Sequence, residues 1–465
     1  PSDKFRLGRL AYLPSRGNRR PAYARSEAAD AILPVTAFDV ITIAAGECRH
    51  VWLTIDGRGL EPGDYQVHVR LRPLTARADR RPRETISCRI QARVYPFELS
   101  DKTPLDVYSW DQSAPLTSDA WMENFVEHRM NVFSVRMDVF SEKSQVRLKP
   151  DGSLERQPDF SDLTEMFLRG KPHGKFYIEY GGLGNGDVAC TDDSMIKALS
   201  PPWKIGYKQW MIAFRDYLNS LGIGTDQWIF CPFDESFFNG GEEVTFVQAK
   251  LCYEVDPTIQ YFQDTWPTKG PGQLHGWRDV TNVTWCPDSG VFELAPWHWL
   301  RAEQRPMWEY FCYQSQRGFE PHGLYRGAGP RAWHRKLDGT AFFAPRAHTG
   351  SDWNDLDGPF GDTCLVLEAN GKPINTRRWE AWREGIEDYL YIHLLDRALR
   401  AGGVEEERTR AGRKLIADFC DLYETQTDHA YLGDRRKGWR VSAADARLSE
   451  AYRRQLAAEI LQWQE

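Results

Sequence analysis

The stretch QWIFCPFDESFFNGG, Gln227 to Gly241, decides how this chain is read. The apolar run from Trp228 to Phe233 has the length and aromatic content of a buried strand, and it breaks off at two adjacent carboxylates, Asp234 and Glu235. A buried strand rarely ends in two charges unless they are paired, hydrated or put to use. A solvated loop that begins with two acids fits the dipeptide taken by itself. The elements on either side separate the two readings.

After Thr103, short apolar segments alternate with longer amphipathic ones. The strand candidates are Leu105–Ser109, Asn131–Arg136, Lys175–Tyr180, Trp228–Cys231, Ile259–Asp264, Asn282–Trp285, Met307–Tyr310 and Gly339–Phe343. Helical patterns precede several of them, notably SDAWMENFVEHRM and YKQWMIAFRDYLNSLG, the second closed by Gly222. Eight strands with intervening helices over roughly 300 residues predict a (β/α)8 barrel, with an open doubly wound sheet as the alternative. No Gly-rich fingerprint follows the first strand, and GGLGNG (Gly181–Gly186) lacks the Lys-Ser/Thr of a phosphate loop, so it reads as a flexible loop after the third strand. In such a barrel the active site lies at the C-terminal strand ends. Asp234 and Glu235 follow the fourth strand and would both reach the mouth.

Ahead of the barrel, FDVITIAAG, HVWLTIDG, GDYQVHVRLR and TISCRIQARVY alternate apolar and polar residues, as an antiparallel β-sandwich does. Behind it the pattern is helical over Arg377–Arg400, about Glu405–Thr425 and about Ala443–Gln464. The expected organisation is a β-sandwich at 1–101, a barrel at 102–400 and a C-terminal helical extension at 401–465.

Composition limits the function classes. Hydrophobic residues make up 41% and charged residues 27% of the 465, the balance of a globular chain. No run approaches the ~20 apolar residues that span a bilayer, so no membrane partner is expected. A net charge of -7, without a basic aromatic stripe, argues against nucleic acid, and the basic run Arg77–Arg83 reads as a solvated hairpin loop. Nine cysteines show no CxxC spacing, and Cys231, Cys286 and Cys312 read as small core residues. The chain begins at Pro1, which leaves export and a cytoplasmic location both open. The NVT at Asn282 falls inside a strand candidate and is discounted as a glycosylation site. Eleven histidines without HExxH or a clustered Asp motif predict metal-independent, cofactor-free chemistry. The acidic run Asp352–Asp362 reads as a solvated loop, with structural calcium as the alternative. The unusual feature is the aromatic content: 18 Trp, 19 Tyr and 23 Phe, with many Trp placed after strand candidates. Flat rings that are not needed for packing stack on the apolar faces of sugars, so a glycan is the expected partner.

CPFDESF, then RPMWEYFCY, then NTRRWEAWREGIEDYLYIHLL resemble the catalytic domain of glycoside hydrolase family 123, which contains exo-acting β-N-acetylgalactosaminidases. Trp308 and Tyr310 match its Trp-x-Tyr strand, and Arg383, Gly385, Ile386, Asp388 and Tyr389 match its helix. The resemblance covers most of residues 103 to 400. It implies substrate-assisted hydrolysis, in which the 2-acetamido oxygen of the sugar attacks the anomeric carbon and forms an oxazolinium. Asp234 would orient the acetamido N–H, Glu235 would act as acid and then base, and Tyr310 would donate to the acetamido oxygen. Trp308, Trp266 and Trp353 are candidates to wall the sugar site, with core packing beside the strand ends as the equal alternative for Trp308 and Trp266. On the helix, Trp379, Trp382, Ile386 and Tyr389 share one apolar face suited to packing on the barrel.

One position departs from the family pattern. Glu309 is a carboxylate on strand seven, where many retaining barrel glycosidases carry their nucleophile. A direct-nucleophile enzyme acting on a sugar without an acetamido group is therefore the second reading. Side chains alternate along a strand, so Glu309 should face away from Trp308 and Tyr310. A carbohydrate-binding protein without turnover is the third reading, and the adjacent acids argue against it. The sugar, its aglycone and the oligomeric state are not written in the sequence.

Overall fold

The computed structural model describes the chain apart from residues 1–3, 16–25, 37–38, 75–84, 112, 137–139, 180–182, 290, 292–294, 312–316, 318–320, 359–361, 402–405, 425–444 and 465. The basic run 77–83 and Cys312 therefore lie outside the described residues.

The N-terminal strands are β1 (Phe5–Ser15), β2 (Ser26–Pro34), β3 (Val51–Ile55), β4 (Gly63–Leu71) and β5 (Ile86–Val94). They form an antiparallel three-stranded sheet in the order β2-β1-β3 and a separate β4-β5 ribbon. The last three of these strands follow the alternation read from the sequence. β1 and β2 do not, and the expected strand at FDVITIAAG is absent over residues 39–46, where Val40 and Ile43 are exposed. Burial along β1 falls on Gly8 and Leu10, then on Leu13 and Ser15, because the register shifts between Ala11 and Tyr12. A bulge of this kind breaks a period-two pattern.

The barrel strands are β6 (Asp106–Ser109), β7 (Val132–Arg136), β8 (Lys175–Glu179), β11 (Trp228–Phe230), β12 (Gln260–Gln263), β13 (Val283–Trp285), β14 (Trp308–Phe311) and β15 (Gly339–Phe342). Two short strands, β9 (Val188–Ala189) and β10 (Met195–Ile196), form a ribbon in the connection after β8. All eight barrel strands are parallel, in the order β13-β12-β11-β8-β7-β6-β15-β14. The circle closes between β13 and β14, where the Trp285 N–H donates to Pro306 O at 3.0 Å and the Tyr310 N–H to Pro287 O at 3.2 Å. The fold is a (β/α)8 barrel preceded by antiparallel sheets and followed by helices. The doubly wound alternative is excluded by this closure.

Alternation along each strand sorts the side chains into two cores. Tyr108, Val132, Tyr177, Ile229, Phe262, Trp308, Tyr310 and Ala341 fill the interior of the barrel. Their neighbours Val107, Phe133, Phe176, Trp228, Phe230, Tyr261 and Phe311 face the helices. The helix Pro201–Ser220 is representative. The Ser200 side chain accepts from the Trp203 N–H at 3.4 Å, proline opens the first turn, and Gly222 at φ 70° lets the chain leave. Trp203, Tyr207, Trp210, Met211, Phe214 and Leu218 form its buried face. Among the described residues no helix is long and apolar enough to cross a membrane.

After β15 the chain forms the hairpin β16 (Val366–Ala369) and β17 (Lys372–Asn375), then the helix Arg377–Ala401. The residues of the sequence motif on this helix hold the C-terminal region in place. Asp388 is fully buried, accepting from Arg326 at 2.7 Å and from Arg453 of the last helix at 2.6 Å. A Cβ on Gly385 would stand 2.3 Å from Arg326 O, and one on Gly329 would stand 2.0 Å from Gly385 O, so only glycine permits this helix contact. Arg383 pairs with Glu380 at 2.7 Å, and Tyr389 packs edge-on against Trp333 at 5.4 Å.

The N-terminal sheet is tied to this region by buried charge. Arg378 donates to Asp30 of β2 at 2.8 and 3.2 Å, and both residues are fully buried. Arg317 donates to Pro14 O at 3.1 Å and Trp353 O at 3.0 Å, and lies 4.0 Å from both Asp30 and Asp362. Most of the acidic run is therefore not solvated, although Asp357 is exposed. Asp352, Asp355 and Asp362 are buried, and the Arg317 guanidinium supplies the positive charge among them.

Candidate active site

The mouth of the barrel is built from the residues that follow each strand. β11 ends with Phe230; Cys231 points inward and Pro232 ends the pairing. The chain then turns through Asp234 to Gly240 before the helix Glu242–Val255. Glu235 occupies the left-handed region at φ 48°, a conformation that costs a non-glycine residue energy unless its surroundings hold it. Three contacts do so. The Glu235 N–H donates to Asp264 Oδ1 at 2.9 Å, the Asn239 amide to Asp234 O at 3.1 Å, and the Ser236 hydroxyl to Gln263 Oε1 at 3.1 Å. The loop after β8 supports the approach to the turn. Asn185 donates to Pro232 O at 2.9 Å and accepts from Gln248 at 3.0 Å, so this part of the Gly-rich segment is anchored.

Asp234 is exposed and Glu235 half-buried. The Tyr310 hydroxyl, from the far side of the barrel, donates to Glu235 Oε1 at 3.2 Å. Burial, and then the charge of Asp234, push the Glu235 carboxyl above its ordinary range, against the opposing hydrogen bond from Tyr310. Asp234 and Glu235, read from their place after the fourth strand, and Tyr310, implied by the family resemblance, are thus brought together.

The tryptophans divide. Trp308 is 1% exposed and lies one step below Tyr310, ringed by Tyr108 at 6.2 Å and Phe262 at 5.2 Å. It is a barrel-core residue with no face left for a sugar, so of its two expected roles core packing holds and the place in the wall does not. Trp353 packs with Leu13, Ala31, Cys364 and Leu367, and its indole N–H donates to Glu368 O at 2.8 Å, so its ring is committed to the junction with the N-terminal sheet. Trp266 is partly exposed and meets the exposed Phe238 edge-on at 4.7 Å, beside the turn that carries the acids. Trp110 and Phe343, which follow β6 and β15, also stand at the mouth; Trp110 lies 5.6 Å from Tyr310 and 6.4 Å from Phe343.

Several polar residues of the rim were not singled out from the sequence. Asp264 follows β12 and is 2% exposed; burial first, then the Asp234 carboxyl it faces, push it well above the carboxylate range. Asp111 follows β6, fully buried, and burial raises it to about 8 although the N–H groups of Ser113 and Ser134 donate to it. Arg136 and Glu179, which end β7 and β8, pair at 3.3 Å. The only sequence signal for any of them is position: each is a polar residue at or just after the end of an apolar strand.

Glu309 faces out of the barrel, fully buried, and Arg335 donates to it at 2.6 Å. Breaking a buried ion pair on one side costs about 3–5 kcal/mol. We therefore expect Glu309→Gln to lower the urea unfolding midpoint markedly while folded protein keeps its turnover number. A collapse of turnover in stably folded Glu309→Gln would contradict this placement.

No protein-family model matches the chain, and none of the curated proteins is similar to it. Among solved structures it is similar to a monomeric β-xylosidase from Caulobacter crescentus CB15, at 14% identity over 60% of this chain and 68% of that one, with a TM-score of 0.38. A family 5 glycoside hydrolase mannosidase from Rhizomucor miehei matches at 9% identity over 64% and 95%, TM-score 0.35. A family 89 glycoside hydrolase from Clostridium perfringens matches at 10% over 71% and 42%, TM-score 0.36. These likenesses are too distant to bear on the site, whose reading rests on its own geometry.

Proposed function

We propose that this protein is a retaining, exo-acting glycoside hydrolase for 2-acetamido sugars, a β-N-acetylgalactosaminidase or related β-N-acetylhexosaminidase. The observation that carries the reading is the group Asp234, Glu235 and Tyr310 at the barrel mouth, where burial and the neighbouring Asp234 push the Glu235 carboxyl above its ordinary range. The outward turn of Glu309 favours a nucleophile supplied by the substrate over one on strand seven.

Glu235 protonates the glycosidic oxygen as the bond to the anomeric carbon breaks. The acetamido carbonyl oxygen of the same sugar attacks that carbon and closes an oxazolinium ring. Asp234 accepts the acetamido N–H and offsets the positive charge that develops on the ring. Tyr310, released from Glu235 by the substrate, donates to the acetamido oxygen and aligns it. The Glu235 carboxylate then takes a proton from water, whose oxygen opens the ring from the face the leaving group occupied. Two inversions give net retention. Trp110, Phe343 and Trp266 supply aromatic surface around this point.

A panel of aryl β-glycosides, paired with and without the 2-acetamido group, tests the proposal. Turnover confined to acetamido sugars, with inhibition by a thiazoline analogue of the oxazolinium, is the expected result. Equal turnover of the plain hexosides, or a glycosyl ester trapped on an enzyme carboxylate, would overturn it.

A further inference from the structure

We propose that Asp264 is a positioning residue that carries a proton and donates it in a hydrogen bond to Asp234, while its other oxygen holds the Glu235 backbone in its left-handed turn. The inference takes its catalytic meaning from the function proposed above.

The geometry gives Asp264 two tasks. Oδ1 accepts the Glu235 N–H at 2.9 Å, the contact that fixes φ of Glu235 at 48°. Oδ2 is buried and has no hydrogen-bond partner among the described residues, and the Asp234 carboxyl lies close enough to act on the Asp264 carboxyl. Two neighbouring carboxylates repel, and a buried acceptor without a donor is left unsatisfied. One proton between them removes both penalties. Asp264 is the one to hold it, because it is buried where Asp234 is exposed. The other titratable groups facing it do not supply a cation. Glu235 adds a second acid, and Tyr177 on β8, Tyr261 on β12, Cys231 after β11 and Cys286 after β13 are all pushed upward by burial and remain neutral.

The consequence is a pair that carries a single negative charge, localised on Asp234 where the acetamido N–H must bind. Deprotonation at high pH would place a second charge beside Glu235. An asparagine at 264 imitates the protonated acid: its amide N–H donates to Asp234 and its oxygen still accepts from Glu235. A leucine does neither.

Infrared difference spectra between wild type and Asp264→Asn at neutral pH should contain the carbonyl stretch of a protonated carboxyl belonging to residue 264. Amide exchange at Glu235 should stay slow in Asp264→Asn and become fast in Asp264→Leu. In turnover, Asp264→Leu should lose about a hundredfold in kcat with little change in KM, the scale of one lost transition-state contact, and Asp264→Asn far less. The alkaline limb of kcat/KM should be less steep in Asp264→Asn, because one of the groups that titrate there is gone. The absence of the protonated carboxyl signal, or equal losses in the two variants, would overturn the proposal. A wild type that shows the signal but hydrolyses no acetamido sugar would overturn the proposed function and uphold the shared proton.

Discussion

Asp234→Asn is expected to lower kcat/KM for 2-acetamido glycosides by at least a hundredfold, whatever the leaving group. The charge that offsets the oxazolinium is lost, and a single such contact is commonly worth about 3 kcal/mol. The pH profile carries a second signature. The Asp234 charge is one of the causes that raise Glu235, after burial. Removing it lowers the pH at which Glu235 loses its proton, so the alkaline limb should move to lower pH in Asp234→Asn. Glu235→Gln should behave differently. It should slow substrates with poor leaving groups most, since these depend on protonation, and lose the Glu235 step of that alkaline limb, leaving the Asp264 step. Leaving-group series for both variants, measured across pH, read all of these effects. If Asp234→Asn retained wild-type rates, or its alkaline limb moved upward, the assignment of the two acids would be wrong.

Asp388→Asn should destabilise the fold more than any substitution at the barrel mouth. Asp388 is fully buried between Arg326 and Arg453, and an amide leaves both guanidinium groups short of charge. Removing one side of a buried pair costs about 3–5 kcal/mol. Glu450 and Glu384 remain beside the two arginines, which places the loss toward the lower end. Urea unfolding of the two proteins measures it directly. A change below about 1 kcal/mol, the range of exposed pairs, would mean that water reaches the cluster.

The barrel was legible because its eight strands are short apolar runs, buried on both faces and punctuated by helices. The expected ends at Leu105, Asn131, Cys231 and Phe343 each lie one residue beyond the observed strand. β1 escaped because its bulge shifts the buried phase at Tyr12, and β2 because SEAADAILP has little β-branched content. FDVITIAAG shows the converse, alternation without a partner strand. In the candidate site, strand-end position pointed to Asp234 and Glu235, and the family resemblance pointed to Tyr310. The resemblance sets Trp308 beside Tyr310 as a wall candidate, and periodicity, which gives the face of a strand but not the depth along the barrel axis, does not separate them. Asp264 was missed because a single Asp after an apolar run is unremarkable until the neighbouring strand brings Asp234 against it. Trp353 depended on how the connection after β15 folds back, and no local pattern encodes that.

The Asp30–Arg378 pair also sets a timetable for a chain made from its N-terminus. Its members are 348 residues apart, so at about 5–20 residues per second the guanidinium emerges roughly 17–70 s after its carboxylate. Over that interval Asp30 has water in place of its partner. The sheet of β1, β2 and β3 can pair locally, but it cannot bury this charge until nearly all of the barrel has been synthesised. The first strands made are therefore among the last to be locked in place.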